Sequence, residues 1–523
     1  MGTALTGARR VLSEKCLGGV VQQRNLKSTI AFSVGIATFF IRYLTTGAID
    51  NDHFVMLARA FQVLHGDWPV RDFEDPGQPL AYLVSTAAAA LFGPTLLVNV
   101  VLCILFLSVT SALVYLLAFR ATGSTVAGLL AAAMTVAIYP RMYNTTKVLV
   151  PVVAIWLSWR YADAPSARRL VLLAGWTAIA FLLRHDYVVY VAASNIVLLT
   201  MCHSDDRGEM IRRMGSYAGL SLLFVSPWLL YVQWSEGIAE YFASAFRFVT
   251  AEGVRTAEGW PRSPLFYALV AIPVTGLLLS FRRRSRLSPA QLASASVLVL
   301  LIELVFLRDV LAARLPDVVA PIAVVAAAVA GQVLPSRVLN RALLATAVAL
   351  LVLAAALAVL HPDRLPTLDT LARQPARVTR RLAQASPEIQ PDPHLAPLVD
   401  YLARCTPRGD RVLVSGFGPE IPVLAHRAFA GGLAAWIPGY YDDPADIGRA
   451  LARLNRERVA AAVMLDGSTD FRRSWPELDR WLQQRGWAEH AVPAIDSRLR
   501  VWLPRAEPTT PIDAPTALPC PSV

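Results

Sequence analysis

The feature that most constrains this chain is a succession of apolar stretches, near residues 29–47, 95–119, 126–142, 147–162, 216–233, 264–281, 290–307, 317–333 and 341–360. Most approach the roughly 20 residues that a helix needs to cross a bilayer. With 55% hydrophobic and only 17% charged residues in 523, one soluble core cannot hide this surface, and lipid must be part of the solvent. Residues 170–201 are apolar except for Arg184, His185 and Asp186, too long for one span, and read as two short spans joined by a polar tip. The total is about 11 membrane helices. Residues 79–92, which run into Gly93-Pro94, read as an interfacial or partly inserted helix, because another full crossing would put the later basic groups on the wrong side.

Orientation follows from the arginines. The basic amino terminus, Arg120, the group Arg160, Arg168 and Arg169, then Arg207, Arg212 and Arg213, then Arg282 to Arg284 and Arg286, and finally Arg337 and Arg341 all fall on one side of this span pattern. That side is expected to be cytoplasmic, with the amino terminus inside a cell (plasma or inner) membrane and the carboxy-terminal part outside. The net charge of +11 lies between apolar runs, not on one basic face, which excludes nucleic acid as the partner. The first apolar run follows Arg9, Arg10, Lys15, Arg24 and Lys27 with no small-residue cleavage site and reads as a retained anchor.

The expected organisation is a basic segment at 1–27, a membrane domain at 28–361 with its first outer loop at 48–78, a linker at 362–393, an α/β domain at 394–505 and a disordered tail at 506–523. The linker reading rests on Arg373, Arg377, Arg380 and Arg381 and on the prolines at 387, 391, 393 and 397; the α/β reading rests on strands such as RVLVSGF and VAAAVML interleaved with helices. Gly416 and Gly418 read as a tight strand-to-helix turn, since Gly-Phe-Gly is only a fragment of a dinucleotide fingerprint. The five cysteines have no metal-type spacing; Cys405 and Cys520 share the outer side, and the sequence leaves open whether they pair.

The first outer loop is the most informative stretch. Phe54, Leu57, Phe61 and Leu64 recur at helical spacing, predicting an amphipathic helix on the membrane surface that holds Asp50 and Asp52 at the mouth of the first span. A carboxylate there, beside lipid and beneath other loops, is expected to be partly desolvated and so a better proton acceptor. The alternative for either aspartate is a helix N-cap, which is compatible with catalysis.

These residues resemble a known class. An aspartate right after the first span, Ala58, the Gly66-to-Pro69 turn, Arg71-Asp72-Phe73 and the Pro79-to-Tyr82 segment are similar to the first loop of the GT-C class of multi-span glycosyltransferases, which includes the protein mannosyltransferases and the lipid A aminoarabinose transferases. The resemblance covers the first 200 residues with motifs and the rest with architecture. It implies transfer of a sugar from a polyprenyl-phosphate donor to a hydroxyl of an envelope glycan, lipid or protein, with inversion at the anomeric carbon. Asp50 matches the catalytic aspartate that deprotonates the acceptor; many members have Glu next, where this chain has Asn51 and then Asp52, so the base is Asp50 or Asp52.

Departure of a lipid phosphate calls for cations near the outer interface. Lys147 and Arg184 are placed for this, with Arg141 as a further candidate and Asp72 as a substrate-positioning residue. The structural alternatives are an Arg184–Asp186 ion pair, a Lys147 that snorkels to the interface, and an exposed acidic turn at Asp72, Glu74 and Asp75. Arg308, Asp309, Arg314 and Asp317 crowd another outer loop. No motif requires a cofactor; a divalent cation on Asp52 and His53 is the one metal reading, against a surface histidine. Competing functions are a transporter or flippase, which usually shows repeated halves not found here, and a non-catalytic assembly protein with the same fold.

Overall fold

The computed structural model describes residues 25–256, 264–282, 286–304, 311–334, 337–343, 346, 368–505, 507 and 510–520. The basic amino terminus through Arg24, Arg283 and Arg284, Arg308 and Asp309, and nearly all of the expected span at 341–360 lie outside them.

The described residues up to 343 are mainly helical. Residues 25–44 form α1, followed by α2 (Asn51–Leu64), α3 (Pro79–Phe92), α4 (Leu96–Thr122), α5 (Thr125–Ala137), α6 (Thr145–Asp163), α7 (Ala167–Leu183), α8 (His185–Cys202), α9 (Arg207–Ser235), α10 (Ile238–Thr256), α11 (Pro264–Ser280), α12 (Pro289–Glu303), α13 (Leu311–Val333) and a helical segment at 337–343, α14. Short polar signals set their ends: Thr95 caps α4 and Gly123, at φ +72°, stops it, while Ser288 and Gln291 form a capping box on α12. Among the described residues, four helices are individually long and apolar enough to cross a membrane, within α4, α8, α9 and α13, and shorter apolar helices pack among them. Residues 170–201 break at Arg184, whose extended backbone (φ −170°, ψ 119°) separates α7 from α8 as the polar tip predicts.

The segment expected as a linker is instead a helix, α15 (Leu368–Ala383), despite Pro375 within it. Its arginines lie outward while Val378 and Leu382, one turn apart, are buried with α1 and α4; Gln374 donates to the Leu44 carbonyl at 2.9 Å. The basic spacing was the polar half of an amphipathic pattern.

The carboxy-terminal domain holds α16 (Ala396–Cys405), β1 (Arg411–Ser415), α17 (Glu420–Leu424), β2 (Ala428–Phe429), α18 (Pro444–Leu454), β3 (Val459–Met464), α19 (Ser468–Ser474), α20 (Pro476–Gln484), β4 (Ala488–Ala491) and β5 (Arg500–Leu503). The sheet order is β2-β1-β3-β5-β4, with β1 parallel to β2 and β3, and β5 antiparallel to β3 and β4. Alternation along β1 feeds two cores: Val412 and Val414 pack with α16 and α17, and Leu413 packs with α18 and α20. The tail expected to be disordered forms a small hairpin, β6 (Ile512–Asp513) with β7 (Leu518–Pro519). A Cys405–Cys520 disulfide ties it to α16, Tyr401 donates to the Pro519 carbonyl at 2.6 Å, and Leu518 is fully buried.

The outer loop and the carboxy-terminal domain are joined by polar contacts across nearly the whole sequence. Arg411 pairs with Asp67 (2.5 and 2.9 Å), and the Gln62 amide bonds both the carbonyl and the N–H of Phe429, as a neighbouring strand would. Helix α2 is amphipathic as its spacing predicts, but its apolar face does not lie on lipid. Phe54, Leu57 and Phe61 are buried with Tyr82 of α3, Val423 of α17 and Phe429 of β2. Protein covers the stripe except at Leu64, which stays exposed, because the domain folds back onto the loop.

Candidate active site

Asp50 occupies the N-cap position of α2 (φ −67°, ψ 150°), yet its side chain makes no capping hydrogen bond. The carboxylate is therefore not used to close the helix. Asp52 lies in the first turn, and both aspartates are exposed, so the protein enclosure expected around them is absent. Between them, Asn51 turns to the other domain and donates from Nδ2 to the Phe417 carbonyl at 3.2 Å. His53 is buried, with no hydrogen-bond partner for either ring nitrogen among the described residues, and burial lowers its pKa to about 4. It is a neutral packing residue here, neither a surface histidine nor a partner of Asp52. Among the described residues no group of three or more His, Cys, Asp or Glu is arranged to hold a metal ion.

Facing the aspartates is the turn between α5 and α6. Arg141 donates from Nη1 to the Tyr143 hydroxyl at 2.7 Å. Tyr143 also interacts with Asp52; burial first, and then the Asp52 charge, push the phenol above its ordinary range and keep it protonated. The charges of Asp317 and Asp50 both reach Arg141, and with the Tyr143 contact they outweigh its burial and raise its pKa. From below, buried Arg42 of α1 stacks 3.4 Å from the Tyr139 ring centroid and donates to the Pro140 carbonyl at 2.8 Å, which holds this turn in place.

Deeper, Lys147 of α6 is buried and pairs with Asp317 of α13 at 3.0 Å, and Arg314 approaches the same carboxylate at 3.8 Å. Lys147 does not snorkel. Its Nζ lies 6.0 Å from the Tyr143 ring centroid, and Tyr187 donates to its backbone carbonyl at 3.2 Å. Arg184 makes the ion pair with Asp186 (2.7 and 3.0 Å) and also lies within electrostatic range of Lys147 and Asp317. Arg141, Lys147, Arg184 and Arg314 thus gather around one shared acid, across Tyr143 from Asp50 and Asp52. Such a site combines a proton acceptor with a pocket of positive charge.

Asp72 is not part of this cluster. It pairs with Arg71 at 2.6 Å and accepts from the Trp68 N–H at 2.8 Å, closing the turn at 68–73. Its neighbours do not form an exposed acidic turn either. Glu74 is buried against Arg453 at 2.8 Å, and Asp75 accepts from Tyr241 at 2.7 Å and from the N–H groups of Gly77 and Gln78. Tyr241 also contacts His185, which stacks on Phe181 and leaves no room for a side chain at Gly77, where a Cβ would lie 2.5 Å from the ring. Tyr143 and Tyr241 are the residues sequence reasoning missed. Tyr143 stands in YPRMYNTTK between Arg141 and Lys147, and its position there was the available signal; Tyr241 carried none.

Known proteins share this architecture. The family model described as dolichyl-phosphate-mannose-protein mannosyltransferase matches residues 75–231. No protein of curated function matches the sequence. Among solved structures, ArnT from Cupriavidus metallidurans bound to undecaprenyl phosphate superposes with a TM-score of 0.53 at 16% identity, over 92% of this chain and 99% of that one. The apo state of the same protein gives 0.51 at 15%, over 94% and 99%. Residues 75–231 are thus similar to the dolichyl-phosphate-mannose-protein mannosyltransferase family, and nearly the whole chain shares the fold of ArnT.

Proposed function

We propose that the protein transfers a sugar from a polyprenyl-phosphate donor to a hydroxyl acceptor on the extracytoplasmic face of a cell membrane. One observation carries this reading: exposed carboxylates at the start of α2 face, across Tyr143, a group of four cations, Lys147 buried and Arg141, Arg184 and Arg314 half-buried. The fold shared with a protein bound to undecaprenyl phosphate supports the same class of donor. The arginine distribution and the Cys405–Cys520 bridge, which suits an oxidising compartment, support the outer placement of the carboxy-terminal domain.

In this mechanism Asp50 is the base, because Asp52 is engaged by Tyr143 and the Asp50 side chain is committed to no cap. Asp50 takes the acceptor proton as the hydroxyl oxygen bonds to the anomeric carbon from the face opposite the phosphate. The bond from that carbon to the phosphate oxygen breaks, and the electron pair leaves on the lipid phosphate. Lys147, Arg184, Arg141 and Arg314 stabilise that charge. Their combined charge does the work of a divalent cation, so transfer is expected to continue in EDTA.

The test follows lipid-linked sugars and envelope glycans by mass spectrometry in cells carrying wild type, Asp50→Asn or Asp52→Asn. Accumulation of a polyprenyl-linked sugar, with loss of that sugar from a glycan in Asp50→Asn, is the expected result. Unchanged pools in both variants and in a deletion strain reject the transferase and leave transport as the better reading.

A further inference from the structure

A cavity of about 350 Å³ lies in the carboxy-terminal domain and takes no part in the reaction above. Its position follows from topology. The chain leaves β1 for β2 on one side and then crosses to β3 on the other, so the sheet order reverses between β1 and β3. In open α/β sheets the crevice beyond the carboxyl ends of the strands at such a reversal is where ligands bind. This cavity is that crevice: Ser415 ends β1, Asp466 follows β3, and Asp470, Phe471, Arg473 and Arg498 complete the wall.

The lining selects the ligand. Asp466 has no hydrogen-bonding or ion-pair partner among the described residues, and Arg473 and Arg498 have only loose pairs at 3.5 and 3.9 Å with Asp470 and Asp496. Carboxylates accept, guanidinium groups donate, and Ser415 does both, which suits a molecule carrying many hydroxyls. A phosphate would meet Asp466 and Asp470, and the adjoining helices, five residues in α17 and seven in α19, are too short for an anion site of their own. An apolar molecule would strip water from the charges without replacing it.

The crevice is also joined to the candidate base. Gly416 forms part of its wall at φ +97°, where a Cβ would lie 2.9 Å from Leu465 and 3.1 Å from Asp466, and the next residue, Phe417, is the one held by Asn51. We propose that this crevice is a carbohydrate-binding site that holds a short saccharide portion of the acceptor. The site's role toward the acceptor rests on the transferase reading; its binding of saccharide does not.

The experiment uses the full-length protein in nanodiscs on an array of immobilised glycans, with phosphorylated and unphosphorylated members. Wild type is expected to retain a defined set of unphosphorylated glycans, and Asp466→Ala and Arg498→Ala each to weaken retention about tenfold, as for loss of a charge-assisted hydrogen bond. Asp50→Asn should bind these glycans like wild type while losing transfer, which separates failure of this site from failure of the transferase reading. No retained glycan, retention unchanged in both crevice variants, or retention of phosphorylated members alone overturns the proposal.

Discussion

The Lys147 ammonium lies 3.0 Å from the Asp317 carboxylate across 170 residues of sequence, and Arg314 approaches the same oxygen at 3.8 Å. One buried acid shared by two cations leaves positive charge inside the helical domain, where a lipid phosphate would complete the balance. Removing one member of a buried pair leaves the other uncompensated and costs roughly 3–5 kcal/mol. Asp317→Leu alone should therefore lower the melting temperature sharply. Lys147→Met with Asp317→Leu should recover part of it, since Arg314 also loses this carboxylate, while retaining less added polyprenyl phosphate than wild type. Undiminished lipid retention in that double variant would remove Lys147 from the phosphate site.

Among the described residues, the Glu74–Arg453 pair is the most enclosed ion pair between the outer loop and the carboxy-terminal domain, with Arg449 3.6 Å from the same carboxylate. We expect Glu74→Ala to destabilise the docked arrangement by about 3 kcal/mol or more. Limited proteolysis should then cut within residues 65–78 faster than in wild type, and equal cleavage rates would show that the pair does not hold the loop.

His53 gives the protein an acid-sensitive point. Its folded pKa of about 4 lies below the ordinary 6.5, so the unfolded chain binds the proton first as pH falls. The stability present above pH 6.5 is lost progressively down to about pH 4, by roughly 3 kcal/mol in total. His53→Phe should flatten this part of the melting profile between pH 7 and pH 4, and parallel profiles would contradict the assignment.

The Cys405–Cys520 bridge closes a separation of 115 residues. In the chain-entropy account, a loop of this size stabilises by roughly 5 kcal/mol. Paired Cys405→Ser and Cys520→Ser substitutions should lower the unfolding temperature of the carboxy-terminal domain and free the hairpin at 511–520 for rapid hydrogen exchange. Unchanged exchange there would mean that the Tyr401 bond to Pro519 and the Arg404–Asp513 pair at 2.8 Å suffice.

Asp72 offers a contrast with Asp50. Because it closes a turn, Asp72→Asn should lower stability by about 1 kcal/mol and leave the transfer rate within about twofold of wild type. A rate loss comparable to that of Asp50→Asn would return Asp72 to the catalytic cluster.

Local pattern alone determined much of this protein. Apolar run length marked the helices, Arg184-His185-Asp186 marked the break between α7 and α8, alternation in RVLVS and VAAAVM marked the central strands, the first-loop motif singled out Asp50 and Asp52, and position near the outer interface singled out Arg141, Lys147 and Arg184. Each is written within a few turns of chain, where backbone geometry and hydrophobic period act directly. What only the tertiary structure decided depends on partners far apart in sequence. Asp317 came to Lys147, Arg453 to Glu74, and Phe429 to Gln62, while the domain folding over α2 turned a surface stripe into core and His53 into a buried, neutral residue. Burial and charge pairing are properties of three-dimensional neighbours, so a residue's role as cap, clamp or base becomes visible only when the chain has closed around it.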